Sequence, residues 1–192
     1  MKKKVLAYYL INGITLYRVL AAPFLLALLV SGPPVWFKWM VALSFFTDLI
    51  DGVLARLFKV NSAFGARLDS IGDDLTVLVT TAGLFMIRPE LLTEQWGWLF
   101  PLILLFLIQT GYALYRYKRI SSFHTRLAKL AAFAQGVFLL TFWFFDTLQY
   151  SLFYIAVIIT MLELIEEIVL VAWFNEWTTD VKGLYWVWKK RQ

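Results

Sequence analysis

Residues 47–74 read TDLIDGVLARLFKVNSAFGARLDSIGDD, and they carry acidic residues within a strongly apolar part of the chain. Asp48 and Asp51 are three residues apart, and Asp69 and Asp73 are four apart, so each pair shares a face if its segment is helical. A carboxylate at the centre of a bilayer costs about 2.5–3.5 kcal/mol on insertion scales. These four acids are therefore candidates for a functional site.

The composition around this stretch is that of a membrane protein. Hydrophobic residues make up 61% of the chain and the mean hydropathy is +0.71, whereas apolar content in soluble domains is about half. At about 20 residues per crossing, 192 residues accommodate about six helices and no separate soluble domain. We expect an all-α, polytopic protein of the cell membrane, a single domain over residues 1–192 with six transmembrane helices and cytoplasmic N- and C-termini.

Apolar runs separated by turn signals predict where these helices lie. The stretch Ser31-Gly32-Pro33-Pro34 separates the first two, and a polar stretch from Arg116 to Lys129 separates the fourth from the fifth. The six predicted helices span approximately residues 15–31, 35–58, 64–87, 97–117, 127–145 and 150–173.

The positive charges predict the orientation, because short cytoplasmic loops collect Lys and Arg. With both ends cytoplasmic, nearly all basic residues fall on that side, and Lys38 and Arg88 lie clearly outside it. We therefore interpret the net charge of +5 as a sign of topology and anionic-lipid contact, and expect no nucleic-acid partner. Residues 174–192, rich in Trp and Tyr, are predicted to lie at the membrane interface.

The residue types present restrict the chemistry. The chain has no cysteine, which excludes disulfides, thiolate catalysis and cysteine-ligated metals, and its single histidine, His124, disfavours a histidine-rich metal site. Four carboxylates held close together would repel one another without cations, and all-oxygen ligation favours Mg²⁺ or Mn²⁺ over zinc or copper. Two such ions about 4 Å apart can stabilise the attacking and leaving oxygens of a displacement at phosphorus.

The small residues of the same stretch are suited to a phosphate-containing ligand. Gly52, Ala55 and Gly65 remove side-chain bulk, so that a base and a diphosphate can approach the backbone. Arg56 can bind phosphate oxygens through its planar guanidinium.

Taken together, these positions resemble the complete signature of the CDP-alcohol phosphatidyltransferase family. The spacing is Asp48-x2-Asp51-Gly52-x2-Ala55-Arg56-x8-Gly65-x3-Asp69-x3-Asp73. Outside residues 47–74 the resemblance is weaker, although Thr15-x2-Arg18 with Pro23 is similar to the first span of the phosphatidylglycerol phosphate synthase branch.

The resemblance implies a role for each matching residue. The metal ligands would be Asp48, Asp51, Asp69 and Asp73, holding two Mg²⁺ or Mn²⁺ ions per active site. The residues that bind the cytidine diphosphate would be Gly52, Ala55, Arg56 and Gly65. Asp73 would also be the catalytic base. Asp74, about 100° further round a helix, is predicted to support the site rather than to bind metal.

The resemblance also implies the reaction and the partners. A phosphatidyl group would pass from CDP-diacylglycerol to an alcohol at the cytoplasmic side of the membrane, with release of CMP. Glycerol 3-phosphate is the preferred acceptor, and inositol, serine or another polar alcohol are alternatives. A homodimer in the bilayer is implied by the resemblance alone.

Candidate acceptor-binding residues lie in and beside the loop between the predicted fourth and fifth helices. This loop mixes cations with aromatic residues, and the candidates are His124, Arg126, Lys129 and Arg116. An ordinary cytoplasmic loop rich in positive charge explains Lys118 and Arg119 equally well, so this alternative stays open.

A second group of acids, Glu163, Glu166 and Glu167, lies on one face of the predicted sixth helix. The family signature does not include it. We interpret these acids as partners of membrane arginines such as Arg18 or Arg116, because unpaired carboxylates in a bilayer are costly. Recognition of a cationic or polyhydroxyl acceptor is the alternative.

Two functions of other classes are alternatives to transferase activity. An ion or metal transporter would spread acids through the membrane and repeat them in inverted halves, whereas here they cluster on one helix pair. A catalytically silent lipid-binding scaffold would tolerate loss of a ligand, whereas all four aspartates are present. The sequence therefore favours an enzyme.

Overall fold

The structure is a computed structural model that describes the backbone of residues 2–32, 34–58, 63–145, 147–179 and 181–189. Side chains are described over the same ranges except at residues 2–8, 10–12, 34, 49, 51–53, 55–56, 63–64, 66–67 and 69–70. Within these ranges the chain is helical, and its β-structure consists of one isolated parallel bridge between Ser122 and Thr179. The predicted all-α class is confirmed.

The described part of the chain forms eight helices. They are α1 (Lys2–Ser31), α2 (Pro34–Phe58), α3 (Ala63–Ile87), α4 (Glu90–Glu94), α5 (Trp96–Tyr117), α6 (Arg126–Phe145), α7 (Tyr150–Trp173) and α8 (Leu184–Lys189). The six long helices match the six predicted ones at nearly every boundary. The exception is α1, which begins at Lys2 instead of near residue 15, and the short helices α4 and α8 were not predicted.

Local backbone geometry explains where several helices end. At the end of α1 the Gly32 N–H donates to the Leu28 carbonyl at 2.9 Å, and a Cβ on Gly32 would approach the Leu28 side chain to 2.6 Å. After α5 the backbone of Lys118 adopts a left-handed conformation with φ 55°, which is a common way for a helix to end. After α7 the chain becomes extended at Phe174.

Among the described residues, three helical stretches are long and apolar enough to cross a membrane: Gly13–Ser31, Trp96–Tyr117 and Arg126–Phe145. This is what is expected of a membrane protein. The helices α2, α3 and α7 have 25, 25 and 24 residues, enough to cross a bilayer by length, but each carries acidic residues. Crossing by all six helices and the cytoplasmic position of both termini remain predictions.

The chain forms two compact units, and the first comprises residues 1–87 together with residues 143–145. In this unit α1 packs against both α2 and α3. Its buried core includes Leu25, Val41 and Leu84. Phe37 packs against Trp143 with ring centroids 4.4 Å apart. Because the family signature lies between Asp48 and Asp73, this unit contains all of its residues.

The second unit comprises residues 88–142 and 146–192. Here α5 packs against α7, and α6 contacts α7 through Phe138 and Phe153, whose ring centroids are 5.6 Å apart. A hydrophobic cluster of Ala113, Phe123, Leu170 and Val171 holds the loop after α5 against α7. This unit contains the predicted acceptor-binding residues. The prediction of one domain over residues 1–192 remains a prediction.

Candidate active site

A buried arginine of α1 connects the acids of α2 and α3. Arg18 is 1% exposed, and its Nη1 donates to Asp48 Oδ1 and, at 2.5 Å, to Asp73 Oδ1. Because both carboxylate oxygens contact one nitrogen, they lie within about 5 Å of each other. The expected convergence of the two helices therefore holds for Asp48 and Asp73.

Arg18 packs against α3 at Gly72. Gly72 faces this side chain: a Cβ at that position would lie 3.4 Å from Arg18 Cβ and 3.6 Å from its Nε, which is ordinary van der Waals contact. On the next turns of α3, Thr76 donates to the Gly72 carbonyl at 2.8 Å and Thr80 to the Thr76 carbonyl at 2.6 Å. These buried hydroxyls are thereby satisfied within the helix.

Five of the predicted site residues can be placed only by their backbone. Their side chains lie outside the described part of the structure; they are Asp51, Gly52, Ala55 and Arg56 on α2, and Asp69 on α3. Gly65 is half-buried on α3, and Asp74 is exposed. The roles of these residues remain predictions.

The described acids are suited to a hard divalent cation. Asp48 and Asp73 supply carboxylate oxygens, the ligand type preferred by Mg²⁺ and Mn²⁺. They already converge on a positive charge, the Arg18 guanidinium. Among the described side chains there is no group of three or more acids or histidines placed to hold a metal. A site of four ligands needs Asp51 and Asp69, and it remains a prediction.

The predicted acceptor-binding residues surround the loop between α5 and α6. His124 is half-buried, its ring Nε2 lies 2.9 Å from Ser122 Oγ, and its backbone has φ 50°. Arg126 and Lys129 are exposed on the first turn of α6, where the Arg126 guanidinium lies 4.4 Å from the Trp186 ring centroid. The side chains of Arg126 and Lys129 are thus accessible to a ligand.

Arg116, the fourth candidate, makes contacts within the protein. Its Nε donates to the Phe174 carbonyl at 3.1 Å, and its Nη2 donates to Asn175 Oδ1 at 2.9 Å. These bonds fasten the end of α5 to the chain that follows α7. The Arg116 guanidinium therefore serves a structural contact. Its role in acceptor binding remains a prediction.

The second acid group also lies in the second unit. Glu167 is 8% exposed, and its Oε2 accepts hydrogen bonds from Gln109 at 2.5 Å and from Ser121 at 2.7 Å. Glu166 Oε1 accepts from the Leu184 N–H at 2.9 Å. These bonds join α7 to the loop after α5 and to the C-terminal residues. The predicted pairing of the glutamates with arginines remains a prediction.

Sequence reasoning missed two residues that organise these sites. Arg18 was predicted as a partner of the glutamates of the sixth predicted helix, whereas the structure shows it bonded to Asp48 and Asp73. Gln109 could have been found as a polar residue within the apolar α5.

A sequence model of a known family, described as CDP-alcohol phosphatidyltransferase, matches residues 8–162. The CDP-diacylglycerol–glycerol-3-phosphate 3-phosphatidyltransferase of Cereibacter sphaeroides is 39% identical over 72 residues, covering 35% of this chain and 33% of that protein. The phosphatidylcholine synthase of Legionella pneumophila is 36% identical over 62 residues, covering 30% of this chain and 24% of that protein. The chain thus spans a third or less of the length of these curated relatives. No solved structure matches the chain.

Proposed function

Because the chain belongs to the CDP-alcohol phosphatidyltransferase family, we propose that it transfers a phosphatidyl group from CDP-diacylglycerol to an alcohol and releases CMP. The observation that carries this proposal is the intact family signature on α2 and α3, two of whose acids, Asp48 and Asp73, converge on one point. Glycerol 3-phosphate is the acceptor that we propose.

In this proposal the four aspartates hold two divalent cations, Mg²⁺ or Mn²⁺. Asp48, Asp51, Asp69 and Asp73 are the ligands. When bound, the cations supply electrostatic stabilisation of the charge that develops on the attacking and leaving oxygens. The all-carboxylate donor set and the convergence of Asp48 and Asp73 support this assignment.

The protein's own groups bind the donor and move the proton. Asp73 accepts the proton of the acceptor hydroxyl, whose oxygen forms a bond to the β-phosphorus of CDP-diacylglycerol. The bond from that phosphorus to the bridging oxygen breaks, and CMP leaves with the electron pair. Arg56 binds phosphate oxygens, while Gly52, Ala55 and Gly65 allow the nucleotide to approach the backbone. Arg18 orients the Asp73 carboxylate through its hydrogen bond.

The charge around the loop after α5 supports a phosphorylated acceptor. The exposed cations Lys118, Arg119, Arg126, Lys129 and Lys182 lie in this loop or close to it. They would attract the phosphate of glycerol 3-phosphate and repel a quaternary ammonium. One relative is named for glycerol 3-phosphate.

A choline acceptor is the second candidate. It is favoured by the relative named phosphatidylcholine synthase and by Glu166 and Glu167, which offer negative charge in the same unit. The hydrogen bonds of Glu167 to Gln109 and Ser121 weigh against it, because that carboxylate oxygen is already engaged. Inositol and serine remain further alternatives within the same reaction class.

The location proposed for this activity is the cytoplasmic face of the cell membrane. Three apolar helices support membrane insertion, and the cations of the loop after α5 support a cytoplasmic position for that loop. A homodimer is part of the proposal on the ground of family membership.

The test is CMP release by purified protein in lipid vesicles with CDP-diacylglycerol, Mg²⁺ or Mn²⁺, and one acceptor at a time. We expect turnover with glycerol 3-phosphate and little with choline, inositol or serine. Turnover with choline alone would make choline the acceptor, and absence of CMP release with every acceptor would contradict the transferase. Asp69→Asn is expected to abolish turnover, whereas near-normal turnover in that variant would contradict the metal assignment.

A further inference from the structure

A chain of hydrogen bonds runs from Thr110 through Gln109 and Ser121 to Glu167, which accepts the last bonds. Thr110 Oγ1 donates to Gln109 Oε1 at 3.1 Å, which orients the Gln109 amide. The Gln109 nitrogen then donates to Ser121 Oγ and to Glu167 Oε2, both at 2.5 Å. Ser121 in turn donates to Glu167 Oε2 at 2.7 Å. One carboxyl oxygen accepts both bonds, so α7 fastens the loop at Ser121.

The neighbouring Glu166 fastens a different part of the chain. Its Oε1 accepts the Leu184 N–H, at the start of α8. Gly183, immediately before, has φ 135° and would place a Cβ 3.0 Å from the same Oε1. A residue with a side chain is therefore disfavoured at position 183 both by backbone conformation and by space. Glu166 thus holds the C-terminal segment, residues 174–179 and 181–189, at the start of α8.

The C-terminal segment is in turn paired with the loop of residues 118–125, which we call the acceptor loop. Its contacts are backbone and side-chain hydrogen bonds: Val181 N to Phe123 O at 2.8 Å, Trp177 Nε1 to Ile120 O at 3.0 Å, and Arg126 N, just after the loop, to Lys182 O at 3.3 Å. The acceptor loop therefore contacts both α7 and the C-terminal segment. Glu167 binds the loop itself through Ser121, and Glu166 binds the C-terminal segment through Leu184.

The acceptor loop needs such support. Ser121, Ser122, Phe123 and Thr125 are all buried. His124, between two of them, has φ 50°, a left-handed conformation that costs a residue with a side chain about 1–2 kcal/mol. A backbone conformation of this kind persists only when its surroundings hold it. The loop ends at Thr125, one residue after His124, and leads directly into α6 with Arg126 and Lys129.

We propose, on the premise of the transferase function above, that Glu167 and Glu166 are positioning residues for acceptor binding. Glu167 acts through Ser121, and Glu166 acts through the C-terminal segment, to hold the acceptor loop so that Arg126 and Lys129 present their positive charges, and His124 its ring, to the phosphate of an alcohol phosphate. The acids of α7 then set the affinity for the acceptor without touching it.

The test separates acceptor affinity from the chemical step. Wild type, Glu167→Ala, Glu167→Gln, Ser121→Ala and Glu166→Gln are compared in the CMP-release assay, with Glu176→Gln, an exposed glutamate of the same segment, as the matched control. We expect Glu167→Ala and Ser121→Ala to raise KM for glycerol 3-phosphate about tenfold with kcat and KM for CDP-diacylglycerol within about twofold of wild type. Glu167→Gln, whose amide oxygen can accept the same bonds, is expected to recover much of the affinity, and Glu176→Gln to behave as wild type.

A second measurement follows the loop itself, by hydrogen exchange of the peptide that contains residues 118–125. Exchange is expected to be faster in Glu167→Ala, intermediate in Glu166→Gln and unchanged in Glu176→Gln. An unchanged KM for the acceptor in folded Glu167→Ala and Ser121→Ala, or an equal loss with respect to both substrates, would overturn the proposal while leaving the transferase intact. If Glu167→Ala does not fold, Ser121→Ala and Glu167→Gln decide. An inactive wild type would instead contradict the proposed function.

Discussion

The Arg18 guanidinium of α1 lies 2.5 Å from the Asp73 carboxylate of α3, with the Asp48 carboxylate of α2 on the same nitrogen. The first helix, which has no residue in the family signature, thereby contributes a buried cation to the predicted metal site. Three helices of the first unit meet at this point. Arg18 consequently contributes to the stability of the site as well as to its geometry.

Replacement of Arg18 by Ala is expected to destabilise the protein by about 1–3 kcal/mol when divalent cations are removed, because two converging carboxylates, each 35% exposed, lose the charged donor between them. Added Mg²⁺ is expected to restore much of that stability. The measurement is thermal unfolding in detergent with EDTA and with Mg²⁺. Arg88→Ala, which removes an exposed cation 3.6 Å from Glu90, serves as control and should change stability by less than about 1 kcal/mol. Equal losses in the two variants would contradict the role of Arg18.

Asp73 and its neighbour Asp74 offer a matched comparison of two adjacent acids. Asp73→Asn is expected to lower kcat by about 100-fold or more, since the base for the acceptor hydroxyl is lost. Asp74→Asn is expected to retain most activity, because this exposed side chain points about 100° away from Asp73. The measurement is the initial rate of CMP release at saturating substrates. A severe loss in Asp74→Asn with little loss in Asp73→Asn would reverse the assignment.

His124 tests the strained backbone of the acceptor loop. His124→Val is expected to lower stability by about 1–2 kcal/mol, because a β-branched residue is poorly suited to φ 50°. His124→Asn should retain stability better, since Asn tolerates the left-handed conformation. Thermal unfolding of both variants in the same detergent gives the comparison. If the Val variant were as stable as the Asn variant, backbone strain would not be a property of this position.

Gly83 tests the packing of the first unit. A Cβ at this position would lie 2.8 Å from Trp143 Cζ2 and 2.9 Å from Leu29 Cδ1, so Gly83→Ala is expected to destabilise by about 1–3 kcal/mol through overpacking. Gly111→Ala on α5, where nothing lies within 4 Å, is the control and should be neutral or slightly stabilising. Unfolding temperatures in detergent check both. A neutral Gly83→Ala would show that the Trp143 ring can move aside.

The long helices could be predicted from sequence because their ends are marked locally. Apolar runs are interrupted by Ser31 to Pro34 and by the polar loop after Tyr117, and the structure has helix ends at both places. The number of helices that cross the membrane is harder to predict from sequence. Three of the six long helices carry acids, and whether such a helix can lie in the bilayer depends on the partners of those acids. Local signals were also absent for the turn that separates α4 from α5.

In the candidate site, too, one part could be predicted from the sequence and another could not. The shared point of Asp48 and Asp73 followed from helical spacing on two neighbouring helices. The partner of Arg18 did not, because periodicity along α1 says nothing about the residues of α3 that it faces. The network of Gln109, Ser121 and Glu167 joins residues 12 and 58 positions apart, and only tertiary packing brings such residues together.

The residues that hold the acceptor loop follow it in the sequence, and this order matters during biosynthesis. The glutamates of α7 and the C-terminal segment are translated well after residues 118–125, so the nascent chain carries that loop before anything can hold it. If the loop binds the acceptor as proposed, this binding therefore arises only once the later residues have emerged from the ribosome and folded back. On that proposal, a chain translated only as far as α6 would bind the acceptor weakly, even with every signature aspartate already in place.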